Sequence, residues 1–144
     1  MRKLLTAALF FASLAIMCAA LRAEDKKIVF IAGNRSHGFG AHEHKAGCML
    51  LAKSLAESGI KGIQTEVITG GWPQDESVLD DADCIVMYTD GGGGHFANRH
   101  LPTIDKLANK GVGIVCLHYD VEVPKGEPGA RFLNRIERAF ETTW

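Results

Sequence analysis

Four short apolar runs, separated by helix-like and loop-like segments, constrain the fold more than any other feature of this sequence. The runs are residues 27–32, 63–68, 84–88 and 113–117. Each has the length and the apolar content of a buried strand. Strands that alternate with helical segments in this way form parallel sheets with helical crossovers. The pattern therefore predicts an α/β domain with a doubly wound parallel sheet.

Helices are predicted between and after these strands. The first covers about residues 43–58, where an i, i+3, i+4, i+7 stripe predicts a side that faces the core. The stripe consists of Cys48, Leu51, Ala52 and Leu55. Pro102 begins a second helix that Gly111 ends. Residues 121–129, rich in proline and glycine, are predicted to form a loop, and residues 131–140 a last helix.

The fourth strand run, residues 113–117, is very apolar, yet a sheet of four strands leaves it at an edge. Natural proteins normally pair or cover such an edge. We therefore expect either an incomplete domain or a chain that associates with a partner, including a second copy of itself, through this edge.

The first 23 residues have the pattern of a secretory signal peptide. A basic start, Met1–Lys3, precedes an uncharged apolar stretch over residues 4–21, and small residues then precede a charged segment that begins at Glu24. We expect an exported protein, periplasmic or extracellular, without membrane association after cleavage. An uncleaved membrane anchor is the alternative, because the stretch approaches the length of a spanning helix.

Charge and cysteine content exclude other classes. The 144 residues carry a formal net charge of −1 with a pI near 6.6, whereas nucleic-acid binding requires a basic surface. After the signal peptide, the cysteines are Cys48, Cys84 and Cys116. This odd number cannot form a complete disulfide framework. Their apolar surroundings predict that they belong to the core.

All six histidines lie in or beside segments that follow predicted strands. They are His37, His42 and His44 after the first strand, His95 and His100 after the third, and His118 after the fourth. Loops that leave the carboxyl ends of parallel strands share one edge of the sheet, where ligands bind. Because histidine titrates near neutrality, this clustering predicts one site for acid–base chemistry.

The loop after the first strand, residues 33–44, is rich in glycine, which permits a close backbone approach to a ligand. It has neither the phosphate-binding P-loop ending nor the dinucleotide glycine pattern, so no nucleotide cofactor is expected. On a helix that begins at Glu43, His42 and His44 diverge by about 200°. At most one of them is then expected to face the site. No metal is expected, because the histidines match no standard ligand spacing.

The loop after the third strand begins with Asp90, the best-placed carboxylate to orient a histidine. Four consecutive glycines follow, residues 91–94. Such a run is costly to order. It is expected either to form a mobile cover or to allow a tight backbone approach.

At these residues the chain resembles the ThuA-like (trehalose-utilisation) family. The resemblance extends over residues 27–144 and rests on segments 32–38, 42–44, 90–95 and 113–122. It implies the fold of the class I glutamine amidotransferase-like superfamily, a flavodoxin-like parallel sheet with helices on both faces. It also implies a link to carbohydrate metabolism and no amidotransferase activity. Because such domains are normally longer, it implies a partial domain, shortened at the C-terminus.

We therefore expect an exported ThuA-like protein that acts on, or binds, a sugar-derived small molecule at the sheet edge. A hydrolase-type activity is the chemistry considered. The expected catalytic residues are His37, His42, Asp90, His95 and His118. The expected substrate-binding residues are Ser36, Glu43, Gly92 and Tyr119.

Two alternatives stay open. One is a noncatalytic sugar-binding or accessory module, since aromatic side chains lie near the predicted edge. These are Phe39, Trp72, Tyr88, Phe96 and Tyr119. The other is a metal-dependent hydrolase in which Asp90 or Glu43 joins the histidines around a metal ion such as zinc.

Overall fold

A four-stranded parallel sheet forms the centre of the fold in the computed structural model, which describes residues 25–136 and 140–142. The strands are β1 (Lys26–Ala32), β2 (Ile63–Thr69), β3 (Cys84–Tyr88) and β4 (Gly113–Leu117). Their order in the sheet is β2-β1-β3-β4, and all neighbours are parallel. The predicted α/β parallel sheet is confirmed. At a coarse level it is consistent with a flavodoxin-like arrangement, in which the order is 2-1-3-4-5.

Helices cover both faces of this sheet. They are α1 (His44–Ala56), α2 (Leu101–Asn109) and α3 (Glu127–Ile136). Successive residues of a strand point to opposite faces. Ile31 of β1 accordingly belongs to one core cluster, with Leu107 of α2 and Phe132 of α3. Ala32 belongs to a second cluster, with Cys48 of α1.

The first helix differs from the prediction at both ends and in one buried residue, and it ends at Ala56, two residues before the predicted end. It begins at His44, one residue later than predicted, and buries His44, Cys48 and Ala52. Leu51, predicted to face the core, is 43% exposed. On a helix, residues four apart differ in direction by only about 40°, so the three buried residues form one line along α1. Leu51 points about 60° away from Cys48 and therefore lies at the side of that line.

The C-terminal segments were predicted with wrong boundaries. Strand β5 (Glu122–Pro124) lies within the predicted loop, and α3 begins there as well. The predicted last helix stops at Ile136, while Phe140–Thr142 forms strand β6, parallel to β5. Side-chain pairs within α3 and between α2 and α3 stabilise the early start of α3. Arg131 pairs with both Glu127 and Asp105 of α2, and Pro128 is tolerated because it lies in the first helical turn.

Strand β4 is the edge of the sheet within the described residues. Its Val115 is 40% exposed, whereas Ile114 and Cys116 pack against the core cluster that contains Phe132. The predicted association of two chains through this edge stays a prediction, which sedimentation of the purified protein can check.

The predicted signal peptide, residues 1–23, lies outside the described residues. Among the helices that are described, none combines the length and the apolar character needed to cross a bilayer.

Candidate functional site

The loops after β1 and β3 meet at the carboxyl edge of the sheet. These two strands are neighbours although β2 separates them in sequence, and such a reversal of strand order creates a crevice for ligands. The backbone N–H of Gly33 donates to Tyr88 O at 2.8 Å. A Cβ atom at Gly33 would lie only 2.7 Å from Cβ of Thr89. Glycine at this position therefore allows the close contact between the two loops.

The centre of the site is a contact between His42 and Asp90. His42 Nδ1 lies 2.8 Å from Asp90 Oδ1. The ring of His37 lies against that of His42, with 4.0 Å between their centroids. Ser36 Oγ bonds His37 Nδ1 at 2.9 Å. The predicted role of Asp90 in orienting a histidine thus has a geometric basis, and His42 is the histidine that it contacts.

His118 reaches the same place from the end of β4. Its ring centroid lies 5.0 Å from that of His42 and 4.2 Å from that of Tyr119. His42 and His118 are the two non-glycine residues with positive φ in the described chain, at 51° and 61°. Left-handed backbone is strained for such residues and concentrates at functional sites. The strain supports a functional role for this pair of facing histidines.

An open cleft of about 380 Å³ adjoins these groups. It is lined by His37, His42, Asp90, Gly91 and Tyr119. A neighbouring cleft of about 340 Å³ shares His42 and includes Glu43 and His44. Both volumes are within the range of small-molecule sites. The arrangement is therefore large enough for a ligand of the size of a sugar.

Asp90 is ionised at neutral pH. Its partial burial acts to raise its pKa, but hydrogen bonds from Ser36 and His42, together with the charges on His44 and His42, outweigh that effect. The pKa therefore lies below its ordinary value of 3.8. The resulting carboxylate can hold the Nδ1 proton of His42, which leaves Nε2 for proton exchange with a ligand.

Ser36 is not arranged as a nucleophile of a Ser–His–Asp triad. In such a triad the serine and the carboxylate contact different nitrogens of the histidine. Here Ser36 Oγ lies 3.4 Å from His42 Nδ1, the same nitrogen that contacts Asp90. Its position instead suits hydrogen bonding to the histidines or to a ligand, as expected for a substrate-binding residue.

His44 also approaches Asp90, so the expectation that at most one of His42 and His44 faces the site is wrong. His44 Nε2 lies 3.7 Å from Asp90 Oδ1. The helix begins only at His44, and the left-handed backbone of His42 turns that residue toward the same carboxylate. Sequence reasoning placed His44 among the six histidines at this edge but not among the expected catalytic or substrate-binding residues. Its i, i+4 spacing to Cys48 was a signal that it lies on the buried side of the helix.

Five predicted site residues do not line the main cleft. Ser36 and His118 contact its histidines, and the other three are His95, Gly92 and Glu43. His95 is buried, with Nε2 donating to Asp120 O at 2.8 Å and Nδ1 accepting from the N–H of Ala97 at 3.1 Å. Gly92 is also buried, and its carbonyl accepts a hydrogen bond from Asn98. Glu43 lines the neighbouring cleft.

The buried pair of His95 and Asp120 connects the β3 loop to the turn after β4. His95 Nε2 lies 3.1 Å from Asp120 Oδ1, and both side chains are fully inaccessible to solvent. Asp120 directly follows His118 and Tyr119, which contact His42 through their rings. The pair therefore anchors the segment that carries two groups of the site.

The cysteines are not arranged for thiol chemistry. Burial raises the pKa of Cys48 to about 11 and also raises the pKa values of Cys84 and Cys116. A thiol with a raised pKa is a poor nucleophile at neutral pH. Cys48 is fully buried, as predicted, while Cys84 and Cys116 are half-buried.

Comparison of the chain with known protein families, with curated proteins and with solved structures gave no significant match.

Proposed function

We propose that the protein binds a hydroxylated, sugar-derived small molecule in the cleft between the β1 and β3 loops and acts on it by proton transfer. The observation that carries this proposal is the contact between Asp90 and His42 at 2.8 Å, at the point where the strand order reverses. A carboxylate on Nδ1 fixes the orientation of an imidazole and makes it an effective general acid or base.

His42 is the proposed proton carrier. Its Nε2 has no hydrogen-bond partner within the described residues, and His42 lines the cleft. His37 and His118 provide further imidazoles around the same ring. Tyr119, which also lines the cleft, offers a ring face and a hydroxyl of the kind that sugars bind.

The wider assignment to an exported ThuA-like protein, linked to carbohydrate metabolism and with a hydrolase-type activity, is part of the same proposal. The strand order β2-β1-β3-β4 supports the class I glutamine amidotransferase-like fold. The positions of the three histidine-bearing loops at one edge support a common site. The raised pKa of Cys116, caused first by burial, supports the absence of amidotransferase chemistry.

The experiment is a calorimetric titration of the purified protein with neutral, amino and oxidised sugars, followed by product analysis of each mixture. We expect binding and turnover for at least one class. His42→Gln should reduce turnover by about 10²- to 10⁴-fold, the usual contribution of a general acid or base, and should change ligand affinity much less. His100→Gln is the matched control, because His100 contacts Glu76 and Trp72 instead of the cleft.

Binding without turnover would favour the noncatalytic sugar-binding module over the enzyme. The absence of any sugar binding at millimolar concentration would refute the proposal. An equal loss of turnover in His100→Gln would show that the effect of His42→Gln is not specific to the cleft.

A further inference from the structure

Three potential metal ligands converge beside the cleft. His37, His42 and Asp90 each offer one donor atom, and these atoms all lie within 4.8 Å of one another. Their spacing in sequence does not follow a standard metal motif, because the fold brings the carboxylate from the end of a different strand. The two loops that provide them are held together by the hydrogen bond from Gly33 to Tyr88.

His44 adds a further imidazole beside the same carboxylate. Its Nδ1 donates to the carbonyl oxygen of Asn34 at 3.0 Å, so Nε2 is the ring nitrogen that faces Asp90. That nitrogen lies 3.7 Å from Asp90 Oδ1. A backbone carbonyl on the other ring nitrogen is typical of histidines that bind metals.

We propose that His37, His42 and Asp90 bind one divalent transition-metal ion, with the imidazole of His44 beside Asp90 but outside this set of three ligands. Two imidazoles with one carboxylate match borderline metals such as Zn²⁺ better than Mg²⁺ or Ca²⁺, which prefer oxygen ligands. The inference rests on the proposed function in taking the same cleft as the site, but metal binding itself does not require a sugar.

The geometry requires only a small adjustment. Tetrahedral coordination with bonds of about 2.1 Å separates ligand atoms by about 3.4 Å, so the widest pair must close by at most about 1.4 Å. His37 is exposed and lies in a glycine-rich loop, where a change of side-chain rotamer is cheap. His42 must offer a ring nitrogen that carries no proton, because a metal ligand needs a free lone pair.

Such an ion changes the assignment of roles within the cleft. Three protein ligands and an open position are typical of catalytic zinc sites, in which the metal polarises a substrate oxygen or a bound water. His42 then acts as a ligand. The ring of His118, 5.0 Å away, takes the role of the proton carrier.

The test uses the full chain, treated with a chelator, desalted and titrated with ZnCl₂ in a calorimeter. Metal retained after a second desalting step is measured by elemental analysis. We expect one zinc per chain, with weaker binding of MgCl₂. His42→Ala and Asp90→Asn should each lower zinc affinity by more than about 100-fold, because even the loss of an outer-shell partner costs 10- to 100-fold. His100→Ala, which removes a histidine elsewhere, should bind zinc like the wild type.

Two results would overturn the inference: no zinc retained by the wild type, or zinc retained equally by His42→Ala and Asp90→Asn. Circular dichroism checks that each variant folds. If His42→Ala does not fold, His37→Ala tests the same ligand set through an exposed side chain. Sugar binding without zinc binding would refute the metal site and leave the proposed function intact, whereas zinc binding without sugar binding would do the reverse.

Discussion

The glycine run after β3 provides a sharp test, because two of its members have opposite surroundings. A Cβ atom added at Gly91 would lie 2.5 Å from Tyr119 O, 2.6 Å from Glu122 Cβ and 2.8 Å from Glu122 O. A Cβ atom added at Gly93 would meet nothing within 4 Å. Gly91→Ala and Gly93→Ala therefore add the same methyl group to the same loop, in one case against backbone and in the other toward open space.

The expected cost of Gly91→Ala follows from which atoms must move. Overpacking costs about 1–3 kcal/mol when side chains can adjust. Here two of the three neighbours are backbone carbonyl oxygens, so relief requires a shift of the turn after β4. We expect a loss of about 3 kcal/mol, a large part of the 5–15 kcal/mol that stabilises a typical domain. For a domain of this size that loss lowers the Tm by about 10 °C.

Gly93→Ala is expected to change stability by less than about 1 kcal/mol, in the stabilising direction, because alanine reduces the entropy of the unfolded chain. Thermal and guanidinium unfolding, followed by circular dichroism, measure both variants beside the wild type. The reasoning is refuted if Gly91→Ala melts within about 2 °C of the wild type, roughly 0.5 kcal/mol, or if both variants lose equal stability.

Three further predictions concern single groups. The folded pKa of Asp90 is lowered, so its ionised form stabilises the fold above the unfolded value of 3.8, and this contribution is lost as pH falls through the lower folded pKa. Urea unfolding near neutrality and at about pH 3 should show that the free energy of unfolding falls more at the acidic pH for the wild type than for Asp90→Asn. Equal decreases would contradict this. Glu76→Gln should cost about 1–2 kcal/mol in denaturant unfolding, because Glu76 accepts hydrogen bonds of 2.7 Å from both Trp72 and Thr103; an unchanged midpoint would rule it out. Cys48, fully buried with its pKa raised by burial to about 11, should react with iodoacetamide only after unfolding, and peptide mass spectrometry that detects an adduct in the native protein would disprove it.

The central sheet was predictable because its signals are local. Buried strands of a parallel sheet are short, apolar and bounded by turn residues. The third and fourth runs were predicted with the boundaries that the structure has, residues 84–88 and 113–117. The position of the candidate site followed from the same reasoning, because loops at the carboxyl ends of parallel strands share one edge.

The C-terminal segments were not predictable from local signals. Pro128 and Gly129 are typical of a loop, yet they lie in the first turn of α3. Contacts between α2 and α3 favour a helix over a loop in this segment, above all the pairing of Asp105 with Arg131 and Arg135. Partners separated by more than twenty residues leave no periodic signal in the sequence.

The sequence by itself determined that polar and titratable groups gather at one edge of a parallel sheet, since hydrophobic patterning sets the positions of the strands and of the loops that follow them. Only the tertiary structure decided which of them meet. Asp90 lies beside His42 and His44 because the backbone is left-handed at His42, two residues before the start of α1, while His95 is buried against Asp120. Side-chain direction depends on backbone angles and on packing between distant segments, and neither is encoded in the spacing of residue types.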